Sequence, residues 1–250
     1  RDSYDMVADD TDPVGPDNPL MFMTGPVVGT AMPSAGRFSV CALSPATGLW
    51  GEANSGGFFG PELRFAGYDG IIITGQAERP VWLSIVEGEV ALHDAVEVWG
   101  LDTYATQTWI RERLDNQRAR VACIGPAGEN TVAMAAVLND HGRAAGRTGM
   151  GAVMGSKCLK AVAVRGKAKV PVADDAELRA VVQEIIQDLD EDMAAMSLQL
   201  AGTAGYVDMG LMYGDVPIRY FQQGEWAAAS NLSGVLMAVS YTHLRAHETV

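Results

Sequence analysis

Apolar residues along this chain gather into short runs separated by breaks rich in glycine and proline. LMFMT (Leu20–Thr24), closed by Gly25-Pro26, reads as a buried strand, and RFSVCALS (Arg37–Ser44) alternates imperfectly as a second. GIIITG (Gly70–Gly75) and VWLSIV (Val81–Val86) are β-branched runs parted by a break that includes Pro80, and together they predict an antiparallel hairpin. Further strands are expected at Val90–His93, at Arg120–Ile124, at Leu159–Arg165, and at Thr131–Leu138, where Val132, Met134, Ala136 and Leu138 alternate. Thr103–Leu114 has helical spacing instead, with Tyr104, Thr108 and Ile110 to Leu114 on one face and Asp102 as N-cap.

After Lys169 the pattern changes. Asp174-Asp175 precedes a run in which Leu178, Val181, Val182, Ile185, Ile186 and Leu189 recur at helical spacing, with acidic residues where the helix dipole favours them. The boundary falls near Pro171–Asp174. The chain therefore reads as α+β: a β-rich domain over residues 1–172, then the start of a helical domain over 173–239. Residues 240–250, SYTHLRAHETV, break abruptly in composition and read as a non-native tail, with the native sequence stopping near Val239. Its His243 and His247 stand four apart, but no third ligand or HExxH glutamate accompanies them. The other end, Arg1, carries neither an initiator Met nor a signal-peptide pattern and reads as a truncated amino terminus.

Composition narrows the function. Of 250 residues 48% are hydrophobic and 20% charged, a globular balance. No run approaches the roughly 18 apolar residues of a membrane-spanning helix. Eighteen basic against 31 acidic residues give a net charge of −13, which argues against nucleic acid and anionic membranes as partners. Cys41, Cys123 and Cys158 are scattered, so they form neither a disulfide framework nor a CxxC site and suit a reducing compartment.

Candidate chemistry lies in three glycine-rich stretches: GLWGEANSGGFFG from Gly48, GPAGEN from Gly125 and NDHGRAAGRTGMGAVMGSK from Asn139. Such backbone can approach a ligand closely and offer N–H groups to an anion. None fits the P-loop or the dinucleotide fingerprint. Arg37, Arg143 and Arg147 add forked donors suited to phosphate or a polar heterocycle, while a surface ion pair is the plain alternative for each.

The run from GPVVGTAMPSAGRF through EANSGGFFGPELRFAGYDGIIITG resembles the amino-terminal domain of the aldehyde:ferredoxin oxidoreductase family of tungsten-pterin enzymes. So do ACIGPAGEN, NDHGRAAGRTGMGAVMGSK, GTAGYVDMG and FQQGEW, and the resemblance covers roughly residues 10–239. It implies a two-sheet β base beneath a tungsten (or molybdenum) ion held by the dithiolene sulfurs of two molybdopterins. By similarity Arg37, Asn54 and Gly56 match cofactor-contact positions on one side, and Arg143 and Ala144 on the other, with Gly146 and Arg147 as further positions. The Asn54 and Ala144 carbonyls would ligate a Mg ion bridging the pterin phosphates. The implied reaction oxidises an aldehyde to a carboxylic acid and passes electrons through a [4Fe–4S] cluster to ferredoxin. The cluster ligands, a CxxCxxxC motif and one distant cysteine, lie beyond this chain, as do the domains that hold catalytic residues. No catalytic residue is assigned, and the fragment by itself is expected to be inactive. Three alternatives stay open: a low-potential reductase of aromatic acyl thioesters or carboxylic acids, a non-catalytic pterin-binding module, and a purely structural β domain. The reducing chemistry suits the cytoplasm of an anaerobe, and dimerisation is common in the family.

Overall fold

A computed structural model of the chain describes residues 6–247, with side chains through residue 240. The reading of 240–250 as a non-native tail, and of His243 and His247 within it, falls outside the described side chains. Two compact units divide the chain, residues 1–178 and 179–250.

The first unit is built on two sheets. One has four antiparallel strands in the order β3-β2-β1-β4: β1 (Leu20–Thr24), β2 (Phe38–Leu43), β3 (Trp50–Ser55) and β4 (Gly70–Ile73). The other has six strands in the order β6-β5-β10-β7-β8-β9: β5 (Val81–Val86), β6 (Glu89–Asp94), β7 (Arg120–Cys123), β8 (Val137–Asn139), β9 (Arg143–Ala145) and β10 (Leu159–Arg165). Its β5–β10 pair is parallel and its remaining pairs are antiparallel. Four helices complete the unit: α1 (Phe59–Phe65), α2 (Thr103–Arg113), α3 (Pro126–Glu129) and α4 (Met150–Ser156).

Alternation along the strands explains the layering. On β10, Val162 and Val164 point into a core shared with Leu20, Phe22, Phe38 and Val40 of the first sheet, together with Leu63 of α1 and Met154 of α4. Ala161 and Ala163 point the other way, to a second core where Trp82 and Val121 meet Ile110 of α2. Two apolar faces on one sheet thus account for the near-continuous burial of β10. Asp102 caps α2 as expected, accepting the Ala105 N–H at 2.8 Å. Glu87 and Gly88, with φ of 51° and 90°, form the two-residue turn joining β5 to β6.

Three sequence expectations are corrected. β4 and β5 are not a hairpin: β4 pairs with β1, while β5 pairs with β6 and β10. The connection between them is too long for a tight turn and is anchored elsewhere, the Lys157 ammonium donating to the Gly75 carbonyl (3.0 Å) and to that of Pro16 (3.1 Å). The strand expected at Thr131–Leu138 forms only at Val137–Asn139. Before it, Thr131 adopts φ 52°, and Val132 and Met134 are exposed rather than aligned on a buried face. On α2 the buried face carries Thr106, Gln107, Ile110 and Arg111, not Tyr104 and Thr108.

The second unit is helical. α5 (Asp175–Glu191) leads into it, with Asp175 and Glu177 in its first turn. α6 (Met193–Ala201), α7 (Tyr206–Tyr213) and α8 (Gly234–His247) follow. Among the described residues no helix is long and apolar enough to cross a membrane.

Candidate functional site

Of the residues singled out by sequence, Asn54 lies on β3 with Gly56 just after it, Arg143 and Ala144 lie on β9 with Gly146 and Arg147 just after it, and Arg37 immediately precedes β2. β3 ends one sheet and β9 ends the other, and the two run side by side. Two contacts fix their alignment. At one end Gly51 lies against Thr148, whose Cβ is 2.8 Å from where a Cβ on Gly51 would sit. At the other end Asn139 donates from Nδ2 to the Gly56 carbonyl at 2.9 Å. These two contacts run in opposite senses along the two strands, so β3 and β9 approach antiparallel, with Asn54 on one rim and Arg143 and Ala144 on the other.

The main-chain groups of Asn54 point into this crease. Ser44 donates to the Leu49 carbonyl at 2.8 Å across the β2–β3 ladder, whereas the N–H and C=O of Leu43 turn away to the Asn18 side chain, at 2.9 and 3.0 Å. Alternation along the register then makes Ser39 and Asn54 a non-hydrogen-bonded pair, with the Asn54 N–H and C=O facing the open edge. Arg37 takes up that edge: its Nη2 donates to the Asn54 carbonyl at 3.2 Å, and its Nε donates to Asn54 Oδ1. The asparagine side chain continues the chain of bonds, donating to Ser39 Oγ at 3.2 Å, and Ser39 donates to Glu52 at 2.7 Å. A recess of about 350 Å³ opens beside Arg37 and Asn54, lined also by Met23, Gly25 and Ser34.

Arg37, Asn54, Arg143, Ala144, Gly146 and Arg147 are all exposed, and Gly56 is half-buried. Among the described residues, the side chains of Arg143 and Arg147 make no hydrogen bond or ion pair. A side chain at position 56 would begin 3.4 Å from Arg37 Nη1, so glycine leaves that guanidinium uncovered. At Gly146 the nearest atom to an added Cβ is Ala144 Cβ at 3.8 Å, and no protein atom requires glycine there. Among the described residues no group of three or more His, Cys, Asp or Glu is placed to hold a metal.

Sequence reasoning missed the polar residues behind this crease. Asn139, Asp140 and Arg120 sit beneath its two rims and join them. The legible signal was NDHG at Asn139–Gly142, a turn-forming sequence in which Asp140 and His141 take φ of 43° and 55° ahead of Gly142 at 114°. Cys41, on the same face of β2 as Ser39, is held protonated by partial burial and then by the Glu52 charge, its pKa raised to about 11.

A family model described as "Aldehyde ferredoxin oxidoreductase, N-terminal domain" matches residues 3–166. The tungsten-containing aldehyde ferredoxin oxidoreductase of Pyrococcus furiosus is 45% identical over 231 residues, covering 92% of this chain and 38% of that one. Its counterpart from Pyrococcus abyssi is 47% identical over the same length and shares. Among solved structures, the active site complex BamBC of benzoyl coenzyme A reductase, bound to 1,5-dienoyl-CoA, aligns with a TM-score of 0.74 at 38% identity. That alignment covers 75% of this chain and 29% of that one. The chain thus spans about two fifths of the length of the curated relatives it matches. With two sheets that meet at an arginine-lined crease, and with relatives this similar over nine tenths of its length, the chain belongs to the aldehyde ferredoxin oxidoreductase family.

Proposed function

We propose that this chain is the cofactor-bearing part of an oxidoreductase that converts aldehydes to carboxylic acids. The observation that carries the reading is the antiparallel approach of β3 and β9, which turns a rim with Arg37 and Asn54 toward a rim with Arg143, Ala144 and Arg147. This donor set fits a bis-molybdopterin group. Guanidinium forks suit its phosphates and polar rings, uncovered glycines at 56 and 146 admit close approach, and an outward carbonyl on Asn54 suits a hard cation such as Mg. Arg37 would anchor one pterin, and Arg143 and Arg147 the other, while the Asn54 and Ala144 carbonyls would hold the bridging Mg.

The tungsten-pterin group, when bound, supplies the two-electron oxidation; the chain contributes binding and orientation. The balance is aldehyde plus water giving acid, two protons and two electrons, which a [4Fe–4S] cluster would carry to ferredoxin. The names of the Pyrococcus relatives support tungsten, an aldehyde and ferredoxin. A cytoplasmic setting accords with this chemistry. A second reading, reduction of an aromatic acyl thioester, is favoured by the likeness to the benzoyl coenzyme A reductase complex.

The test is elemental and kinetic. The complete gene product, purified without oxygen, is assayed for tungsten, molybdenum, magnesium and pterin, then for viologen dye reduction by short aldehydes and by a cyclic dienoyl thioester. Tungsten or molybdenum with aldehyde-dependent dye reduction supports the first reading, and dienoyl thioester oxidation alone supports the second. A protein with no pterin and neither activity would overturn both.

A further inference from the structure

Behind the two rims lies a polar network built on Asn139, Asp140 and Arg120. Asn139 is fully buried. Its Oδ1 accepts from Ser55 Oγ at 2.7 Å, and its Nδ2 donates to the Gly56 carbonyl at 2.9 Å and to Asp140 Oδ2 at 3.0 Å. Asp140 Oδ2 also accepts the Phe58 N–H at 2.6 Å. Its other oxygen pairs with Arg120 at 3.2 Å, and that guanidinium lies over the Phe58 ring, 4.6 Å from its centroid. The side chain of Asp140 is 7% exposed.

The destinations of these bonds are telling. Apart from the Asn139–Asp140 and Arg120–Asp140 contacts, each one ends within Ser55–Phe58, the residues directly after Asn54. Asn139 ends β8 and Asp140 opens the turn that leads into Arg143 and Ala144. The apolar core already holds the two sheets together, so this network adds registry rather than bulk burial. Asp140 and His141 keep left-handed backbone, a strained choice that persists where surrounding bonds over-determine it.

We propose that Asn139 and Asp140 are positioning residues, which set the spacing of the Asn54–Gly56 rim against the Arg143–Arg147 rim to fit the paired pterins and their Mg. The inference rests on the cofactor reading above. It assigns the clamp no contact with cofactor or substrate; its effect passes through the rims.

The test compares Asp140→Ala, the conservative Asp140→Asn, and Ile110→Ala in the complete gene product. Ile110 is buried in the second core, on the far face of the sheet, and serves as a control for stability loss alone. Two readouts are taken: hydrogen exchange of the apoprotein at Phe58 and Arg143–Ala145, and tungsten, pterin and magnesium retained per chain. Asp140→Ala is expected to speed exchange in both segments and to lower cofactor retention about tenfold, the order seen when outer partners of metal ligands are removed. Asp140→Asn, whose amide oxygen still accepts the Phe58 N–H, is expected to recover part of that loss. Ile110→Ala should lower the melting temperature while retention stays at the wild-type level. The proposal is overturned if Asp140→Ala leaves exchange or retention unchanged, or if both alanine variants lose cofactor in proportion to their lost stability. A wild-type protein without tungsten-pterin defeats the cofactor reading itself, and the positioning role with it.

Discussion

Lys160 and Glu129 form an ion pair in which both side chains are buried, at 0% and 4% exposure. The ammonium also donates to the Leu101 carbonyl at 2.8 Å, and both carboxylate oxygens accept the Gly100 N–H at 2.9 Å. The pair ties the GPAGEN turn to β10 and to the loop before α2. Breaking a buried pair strands the remaining charge, so Lys160→Met should cost about 3–5 kcal/mol. Adding Glu129→Gln removes the stranded charge and keeps an acceptor for Gly100, and should restore most of the loss. Urea unfolding of the two variants decides it. A single variant less than about 1 kcal/mol below wild type would mean that water reaches the carboxylate.

Gly57 has φ +93°, and a Cβ there would collide with Asp140 Oδ2. Gly57→Ala should therefore cost about 1–3 kcal/mol in backbone strain alone, with more from displacing the Asp140–Phe58 bond. Gly146→Ala meets nothing closer than 3.8 Å and should change stability by less than about 0.5 kcal/mol. Melting curves of the apoprotein test the pair, and equal losses in both would refute the steric account.

Local chemistry was legible in the sequence, whereas long-range pairing was not. Asp102 could be read as a cap because its partner is three residues away. The run at Leu159–Arg165 was legible because burial on both faces leaves a continuous apolar string. β3 was not, since WGEANS offers a single aromatic and no β-branched residue; it is a strand because β2 pairs with it. The swap of β4 and β5 between sheets left no local trace either. For the site, the resemblance marked Arg37, Asn54 and Ala144, but not Asn139 and Asp140, whose bonds to the Ser55–Phe58 segment span more than 80 residues.

Thiol reactivity gives a prediction with a worked sign. Burial, followed by the Glu52 charge, raises Cys41 to about 11, and burial raises Cys123 to about 12. Both thiols are protonated in the folded and unfolded chain below the ordinary value of about 8.5. Above it the unfolded chain loses protons that the folded one keeps, so this contribution to stability is lost as pH rises through 8.5 to about 11 or 12. Alkylation of native Cys41 should accordingly rise about tenfold per pH unit from 7 to 10, without levelling near 9. Mass spectrometry of iodoacetamide-treated protein provides the check. A plateau near pH 9 would show an unperturbed thiol.

Arg37 and Asn54 separate recognition from folding. Both are exposed, so Arg37→Ala and Asn54→Ala should each shift stability by no more than about 0.5 kcal/mol. Their effects on cofactor retention should differ. Asn54→Ala keeps the main-chain carbonyl that faces the crease and loses only the amide that steadies Arg37, whereas Arg37→Ala removes the guanidinium itself. Pterin fluorescence after denaturation, normalised to chain concentration, should therefore fall further in Arg37→Ala than in Asn54→Ala, with magnesium largely kept in the latter. If Arg37→Ala instead lowers the melting temperature and leaves pterin untouched, Arg37 serves to hold β3 against β2, and the crease binds its ligand without it.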